Sequence, residues 1–249
     1  MLNVWLYTII SVAIVSLISL VGVFTLSIDQ KKLYTLLIYF VSLSAGTLMG
    51  DAFIHLIPEA YKESGGSNFV SIYILAGILA FFILEKILHW RHCHEEPCAT
   101  HPHPFSYIIL FGDSVHNLID GMVIAASFLV SVPVGVATAV AVIFHEIPHE
   151  IGNFGSLVYG GFTRDKALLY NFLSAVMAIL GAVLVLVVNI TDGSLTRFLI
   201  PFAAGGFVYI AGTDLIPELH KNTEAKKGVL QLVTFLAGIG LMLGLLLFE

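Results

Sequence analysis

Two short stretches hold most of the chemistry open to this chain. Residues 113–120 read DSVHNLID and residues 145–153 read HEIPHEIGN. Both lie among apolar residues, yet they carry Asp113, His116, Asn117, Asp120, His145, Glu146, His149, Glu150 and Asn153. Residues four apart share a helix face, so His116 pairs with Asp120 and His145 with His149. Two facing helices would then offer three imidazoles and one carboxylate to a common point. That donor set suits a tetrahedral Zn²⁺ or a neighbouring divalent ion. Asn117 and Glu146 fall on the adjacent stripe. With Asp120 bridging, they could form a second, more oxygen-rich site. Pro148 has no N–H to give the carbonyl of Phe144, which is left for another partner. Asp113, Glu150 and Asn153 read as supporting groups or as steps on an ion pathway.

An alternative chemistry has to be weighed. HEIPH also satisfies HExxH, in which two histidines bind zinc and the Glu activates water. With Asp120 as third ligand, the chain would be an intramembrane zinc metalloprotease. Pro148 interrupts that motif, and His116 supplies a fourth ligand where hydrolysis needs an open position. The sequence therefore favours a carrier of metal over an enzyme.

The elements that position these groups are spans of a membrane. The chain is 58% hydrophobic and 11% charged, with a mean hydropathy of +0.95. A soluble domain averages about 25% charged residues. Crossing a bilayer takes about 20 apolar residues per helix. Eight stretches qualify: 4–26, 34–58, 69–90, 106–130, 134–157, 166–190, 197–218 and 227–248. This predicts an all-α polytopic protein, residues 1–249 forming one transmembrane domain. No Lys or Arg precedes Asp29, so 4–26 reads as a retained span instead of a signal peptide. An ionised carboxylate at the bilayer centre costs roughly 2.5–3.5 kcal/mol. The acids of the fourth and fifth spans have only imidazoles for basic neighbours, which points to a bound cation.

Basic residues predict the orientation. Lys31, Lys32, Lys86, Arg91, Arg164, Lys166, Lys221, Lys226 and Lys227 belong to odd-numbered loops; only Lys62 and Arg197 belong to even ones. Odd loops are then cytoplasmic and both termini outside. A repeat crosses this frame. AGTLMGDAFIHLIPEA (45–60) and AGGFVYIAGTDLIPEL (204–219) agree at seven of sixteen positions with an offset of 159. An inverted repeat of helices 1–3 and 6–8 around a central 4/5 pair explains this, with the binding site between halves. Asp51, His55 and Glu59 then lie toward the outer mouth, and Asp214, Glu218 and His220 toward the inner one. Residues 91–105 form a cytoplasmic loop rich in His and Cys. With its edge it holds His89, His92, Cys93, His94, Cys98, His101 and His103, a composition suited to a weak metal trap.

The fourth-span HNLIDG, the fifth-span HEIPHE and the second-span GDAFIHLIPEA resemble the ZIP family of divalent metal transporters, specifically its subfamily with HExPHE in the fifth span. The resemblance covers nearly the whole chain. It implies a binuclear site: His116, Asp120, His145 and His149 for one metal, and Asn117, Asp120 and Glu146, with His149 a further candidate, for the other. It also implies zinc uptake into the cytoplasm, a homodimer, a plasma membrane (bacterial inner membrane for so compact a chain), and rigid-body movement of one helix group past another. Zn²⁺ is the expected substrate, with Fe²⁺, Mn²⁺, Co²⁺ or Cd²⁺ as further candidates; no nucleic-acid partner is expected. Asn153 departs from the subfamily, which commonly has Asp there.

Overall fold

The computed structural model describes residues 2–22, 30–90, 104–188, 194–221 and 224–248. The His/Cys-rich loop, including His92, Cys93, His94, Cys98, His101 and His103, lies outside the described residues, as does the side chain of His89. Eight helices are long and apolar enough to cross a membrane. We label them α1 (Leu2–Ile18), α2 (Gln30–Gly50, Asp51–Leu56 and Ile57–Glu63), α3 (Phe69–Trp90), α4 (Pro104–Val130), α5 (Val132–Tyr159), α6 (Arg164–Ala175 and Met177–Val188), α7 (Ser194–Ile210, Ala211–Leu215 and Ile216–His220) and α8 (Ala225–Leu245). Among the described residues there is no strand.

Local sequence explains the breaks. Between α4 and α5 the chain leaves the helix at Ser131 alone, whose extended backbone lets its Oγ accept from Val134 N at 3.3 Å. Pro133 follows within the first turn, where its missing N–H costs nothing. Between α2 and α3, Gly65 and Gly66 take φ of 63° and 84°, a left-handed region that favours glycine.

The repeat is visible in the packing. α2 packs on α8 as α7 packs on α3; α1 on α5 as α6 on α4; α2 on α5 as α7 on α4. Gly46 of α2 and Gly205 of α7 are 159 residues apart, and each abuts a backbone carbonyl: an added Cβ would stand 2.1 Å from Phe235 O and 2.0 Å from Ile74 O respectively. Small residues allow such close approach where lipid gives helices no hydrophobic reason to associate. Both repeat helices also widen to π geometry at matching places, Asp51–Leu56 and Ala211–Leu215, each just ahead of an Ile-Pro-Glu turn. Each widened segment lies against the other repeat helix. Four spans lie between the equivalents, so they run in opposite directions through the bundle. α4 and α5 cross between the two halves, with alanine-rich contacts (Ala125, Ala126, Ala137, Ala141) that bury them closely.

Candidate metal centre

α4 and α5 meet where their polar residues cluster. His116 Nε2 and His145 Nε2 are 3.3 Å apart. Asp120 Oδ2 lies 3.6 Å from the first and 3.2 Å from the second. Glu146 Oε1 lies 3.4 and 3.2 Å from the same two nitrogens. All four donors fall within 4.8 Å of one another and all four residues are buried. A regular tetrahedron of ligands about 2.0–2.1 Å from Zn²⁺ has edges of about 3.3–3.4 Å. The five edges that involve the imidazoles, at 3.2–3.6 Å, match those of a tetrahedral N₂O₂ shell.

The donors have little else to do. Asp120 Oδ1, Glu146 Oε2 and Asn117 Oδ1 are buried without a hydrogen-bond donor. Buried polar atoms are normally satisfied, so oxygens of this kind in one place match a cation. The ion pairs of Asp113, Asp120 and Glu146 are all with imidazoles. Phe81 sits edge-on to His116 at 5.9 Å and Phe207 lies 6.1 Å from His145. These rings wall off one side of the cluster and keep its dielectric low.

His149 stands outside the four. The spacing argument put it on one face with His145, and Glu146 on the neighbouring stripe. In the structure the cluster lies between those stripes, so His145 and Glu146 both reach it. His149 is drawn aside: its Nδ1 is 3.5 Å from Asp113 Oδ1, 3.5 Å from Asn153 Nδ2 and 3.9 Å from Glu146 Oε1. Its ring still lies 4.8 Å from that of His116. Of the two histidines of HEIPH only His145 belongs to the four-donor group, and the Glu stands among the donors instead of apart from them. Neither feature is what a zinc protease needs.

A layer of support lies behind the cluster. Asp113 Oδ1 accepts from Asn153 Nδ2 at 2.6 Å and from Asn117 Nδ2 at 3.3 Å, and Oδ2 accepts from Ser174 Oγ. An amide at position 153 supplies the donor that Asp113 uses; a carboxylate there would oppose it. Glu150 is fully buried and its Oε2 accepts from Asn171 Nδ2 at 2.5 Å. Asn171 and Ser174, both on α6, escaped sequence reasoning; their one signal was two polar residues three apart in an otherwise apolar stretch. The carbonyl of Phe144, left free by Pro148, accepts from Ser44 Oγ of α2 at 2.6 Å.

A cavity of about 330 Å³ leads away from the cluster. It is lined by Asp113, His116, His145, His149 and Asn153, and further out by Glu85, Tyr209, Asp214 and Glu218. Glu85 was not anticipated; its Oε2 accepts from Tyr209 Oη at 2.5 Å. Other candidates lie elsewhere. His55 Nε2 is 3.0 Å from Met242 O, Asp51 is buried in the widened segment of α2, and Glu59 pairs with Lys62 at 3.0 Å. His220 borders a separate crevice beside Ser42 and Gln231.

Eight apolar helices with a buried two-imidazole, two-carboxylate cluster among them define a multi-pass integral membrane protein that holds a candidate metal centre. A family model described as ZIP zinc transporter matches residues 2–106 and 91–246. The chain is similar to zinc transporter ZIP13 of Pongo abelii, 32% identical over 216 residues that cover 81% of this chain and 64% of that protein. It is similar to zinc transporter YKE4 of Saccharomyces cerevisiae, 31% identical over 81% of this chain and 68% of that one. With metal cation symporter ZIP14 of Mus musculus it shares 29% identity over 98% and 66%. It thus spans under two thirds of the length of the Pongo protein. The chain belongs to the ZIP family.

Proposed function

We propose that this chain carries divalent metal ions, zinc foremost, across a membrane into the cytoplasm. The observation that carries the reading is the buried cluster of four donors where α4 and α5 meet, with a cavity running from it toward Asp214 and Glu218. The printed names of its relatives, zinc transporters and a metal cation symporter, support it. The first ion is held by His116, Asp120, His145 and Glu146. A second, more oxygen-rich position uses Asn117 Oδ1 with the outer oxygens of Asp120 and Glu146, and His149 serves as the donor beside the cavity. The ion then passes Asp113 and Asn153 and leaves by Asp214 and Glu218. Asp51, His55 and Glu59 belong to the opposite mouth, and His220 and the His-rich loop receive the ion beyond the cytoplasmic end. Two neutral and two anionic ligands replace the hydration shell of Zn²⁺ without trapping it permanently. In this reading the protein works as a homodimer, and neither half performs hydrolysis.

The test is zinc uptake by sealed proteoliposomes with Fe²⁺, Mn²⁺, Co²⁺ and Cd²⁺ as competitors and a membrane peptide as cleavage control. Saturable zinc uptake without cleavage is expected. Cleavage without uptake would overturn the proposal.

A further inference from the structure

A second hollow shares no lining residue with the ion cavity. It is a crevice of about 410 Å³ between the end of α7, the first turns of α8 and the middle of α2. Ordinary ligand sites measure about 300–1,000 Å³. Ile216, Leu219, Leu232 and Phe235 form its apolar walls, and Gln231 and His220 are among its polar groups. α8 is one of the two spans least enclosed by the bundle, so the crevice borders lipid.

Gln231 sets what the crevice can hold. The residue is 6% exposed, and its Nε2 is buried with no acceptor among the described residues. The neighbouring Ser42 Oγ donates to the backbone carbonyl of Gln231 at 2.5 Å. Buried donors are normally satisfied, and hydrocarbon offers no water to do it. The missing acceptor therefore belongs to an occupant.

Depth identifies that acceptor. Gly228, Gln231, Leu232 and Phe235 recur at helical spacing on one stripe of α8. Lys227 lies one turn before Gln231, about 6 Å along the axis, and Phe235 one turn beyond it. The polar layer on each side of a bilayer is roughly 5–8 Å thick. With Lys227 level with the lipid phosphates, Gln231 stands at the glycerol esters and Phe235 among the acyl chains. Charge agrees with this. Lys31 and Lys32 open α2, Lys221 follows α7, and Lys226 and Lys227 open α8, all at one end of the three helices. Lys221 and Lys227 pair with Glu218 and Glu224, but these are surface pairs that exchange readily for a phosphate. Basic clusters at the ends of spans attract anionic lipid.

We propose that the crevice binds an anionic glycerophospholipid of the surrounding bilayer. An ester carbonyl accepts from Gln231 Nε2, the upper acyl chain lies against Leu219, Leu232 and Phe235, and the phosphate meets the lysines. The lipid rests against the Ile216–His220 turn, whose Glu218 lines the ion cavity. This assignment does not depend on what the metal centre carries.

The experiment uses the full chain in phosphatidylcholine nanodiscs containing a trace of phosphatidylglycerol with a photoreactive diazirine near the ester end of one acyl chain. Peptide mass spectrometry after illumination maps the adducts. Leu219, Leu232 and Phe235 should carry them well above Val229 and Val233, which are exposed on α8 at similar depth outside the crevice. A phosphatidylcholine probe with the same chains should label the crevice about fivefold less, the factor for about 1 kcal/mol from one lysine. Gly228→Trp, whose side chain enters open space in the crevice, should abolish the crevice adducts, and Gln231→Met, which removes the amide, should lower them. Labelling of Val229 and Val233 should stay as in the wild type. The proposal is overturned by adducts spread evenly over α8, by equal labelling with the two probes, or by crevice adducts that survive Gly228→Trp. It is equally overturned if a second copy of the chain fills the crevice: on a Cys93→Ser, Cys98→Ser background, Phe235→Cys would then form a disulfide between copies and take no probe. Should Gly228→Trp fail to fold, the two probes on the wild-type chain decide.

Discussion

Each residue of the centre is explained by what it faces. Two buried carboxylates whose ion pairs among the described residues are all with imidazoles form a setting that suits a cation. The types and positions of these groups were legible in sequence, because charge in an apolar span is costly and therefore conspicuous. Which imidazole joins the inner four was not. Helical spacing ranks His145 and His149 alike; the contacts of His149 with Asp113 and Asn153 separate them. This separation yields a prediction. Co²⁺ in a tetrahedral site of two imidazoles and two carboxylates absorbs in the visible with a pattern that reports geometry. Titrating the protein with Co²⁺ should produce that band, and His145→Ala or Glu146→Gln should remove it. His149→Ala should keep the band yet abolish uptake with the fold intact, since His149 lines the cavity of the proposed route and is not among the four. A band lost in His149→Ala would return His149 to the inner shell. Asn171 and Ser174 stayed hidden because a single amide or hydroxyl in a membrane helix is affordable and ordinary; only the acids they hold reveal their use.

At the scale of elements, eight spans followed directly from hydropathy, with boundaries near those expected. The second, expected over 34–58, runs on through the Pro-Glu turn to Glu63. Hydropathy averages over the turn and does not register a proline that begins a new helical segment. The widened π segments had no signature either, since one extra residue per turn leaves composition unchanged. They have a consequence. Inserting an alanine after Gly212, where an added Cβ would meet nothing, adds a residue to a turn already widened and should rotate the rest of α7. One residue corresponds to about 100° of rotation. Asp214 and Glu218 would then leave the cavity wall, and zinc uptake should fall steeply while helicity by circular dichroism stays constant; unimpaired uptake would show that those acids do not line the route. The close helix contacts make a second prediction. A Cβ on Gly121 would stand 1.8 Å from Ala178 O, where backbone must move to make room. Gly121→Ala should destabilise the α4–α6 contact by about 1–3 kcal/mol, the usual cost of overpacking. Thermal unfolding in detergent, compared with Gly240→Ala, which has open space, measures it.

For the molecule as a whole, direction depends on which face of the membrane the cavity meets. The cavity leaves the cluster toward Asp214 and Glu218, near the end of α7. The loop after α7 is one of the odd ones, which hold nine of the eleven Lys and Arg residues. Under the orientation expected from the positive-inside rule that end would be cytoplasmic, and the proposed exit by the cavity would be uptake. The direction of transport follows from orientation, and orientation can be measured. Cys93 and Cys98, the two cysteines of the chain, follow α3 and lie in another odd loop. Asn68 is exposed in the turn between α2 and α3, an even loop. In intact cells, a membrane-impermeant thiol reagent should leave the native cysteines unlabelled until the membrane is opened. On a Cys93→Ser, Cys98→Ser background, Asn68→Cys should label at once. The reverse pattern would place Asp214 and Glu218 at the outer face and turn the same cavity into a route of export.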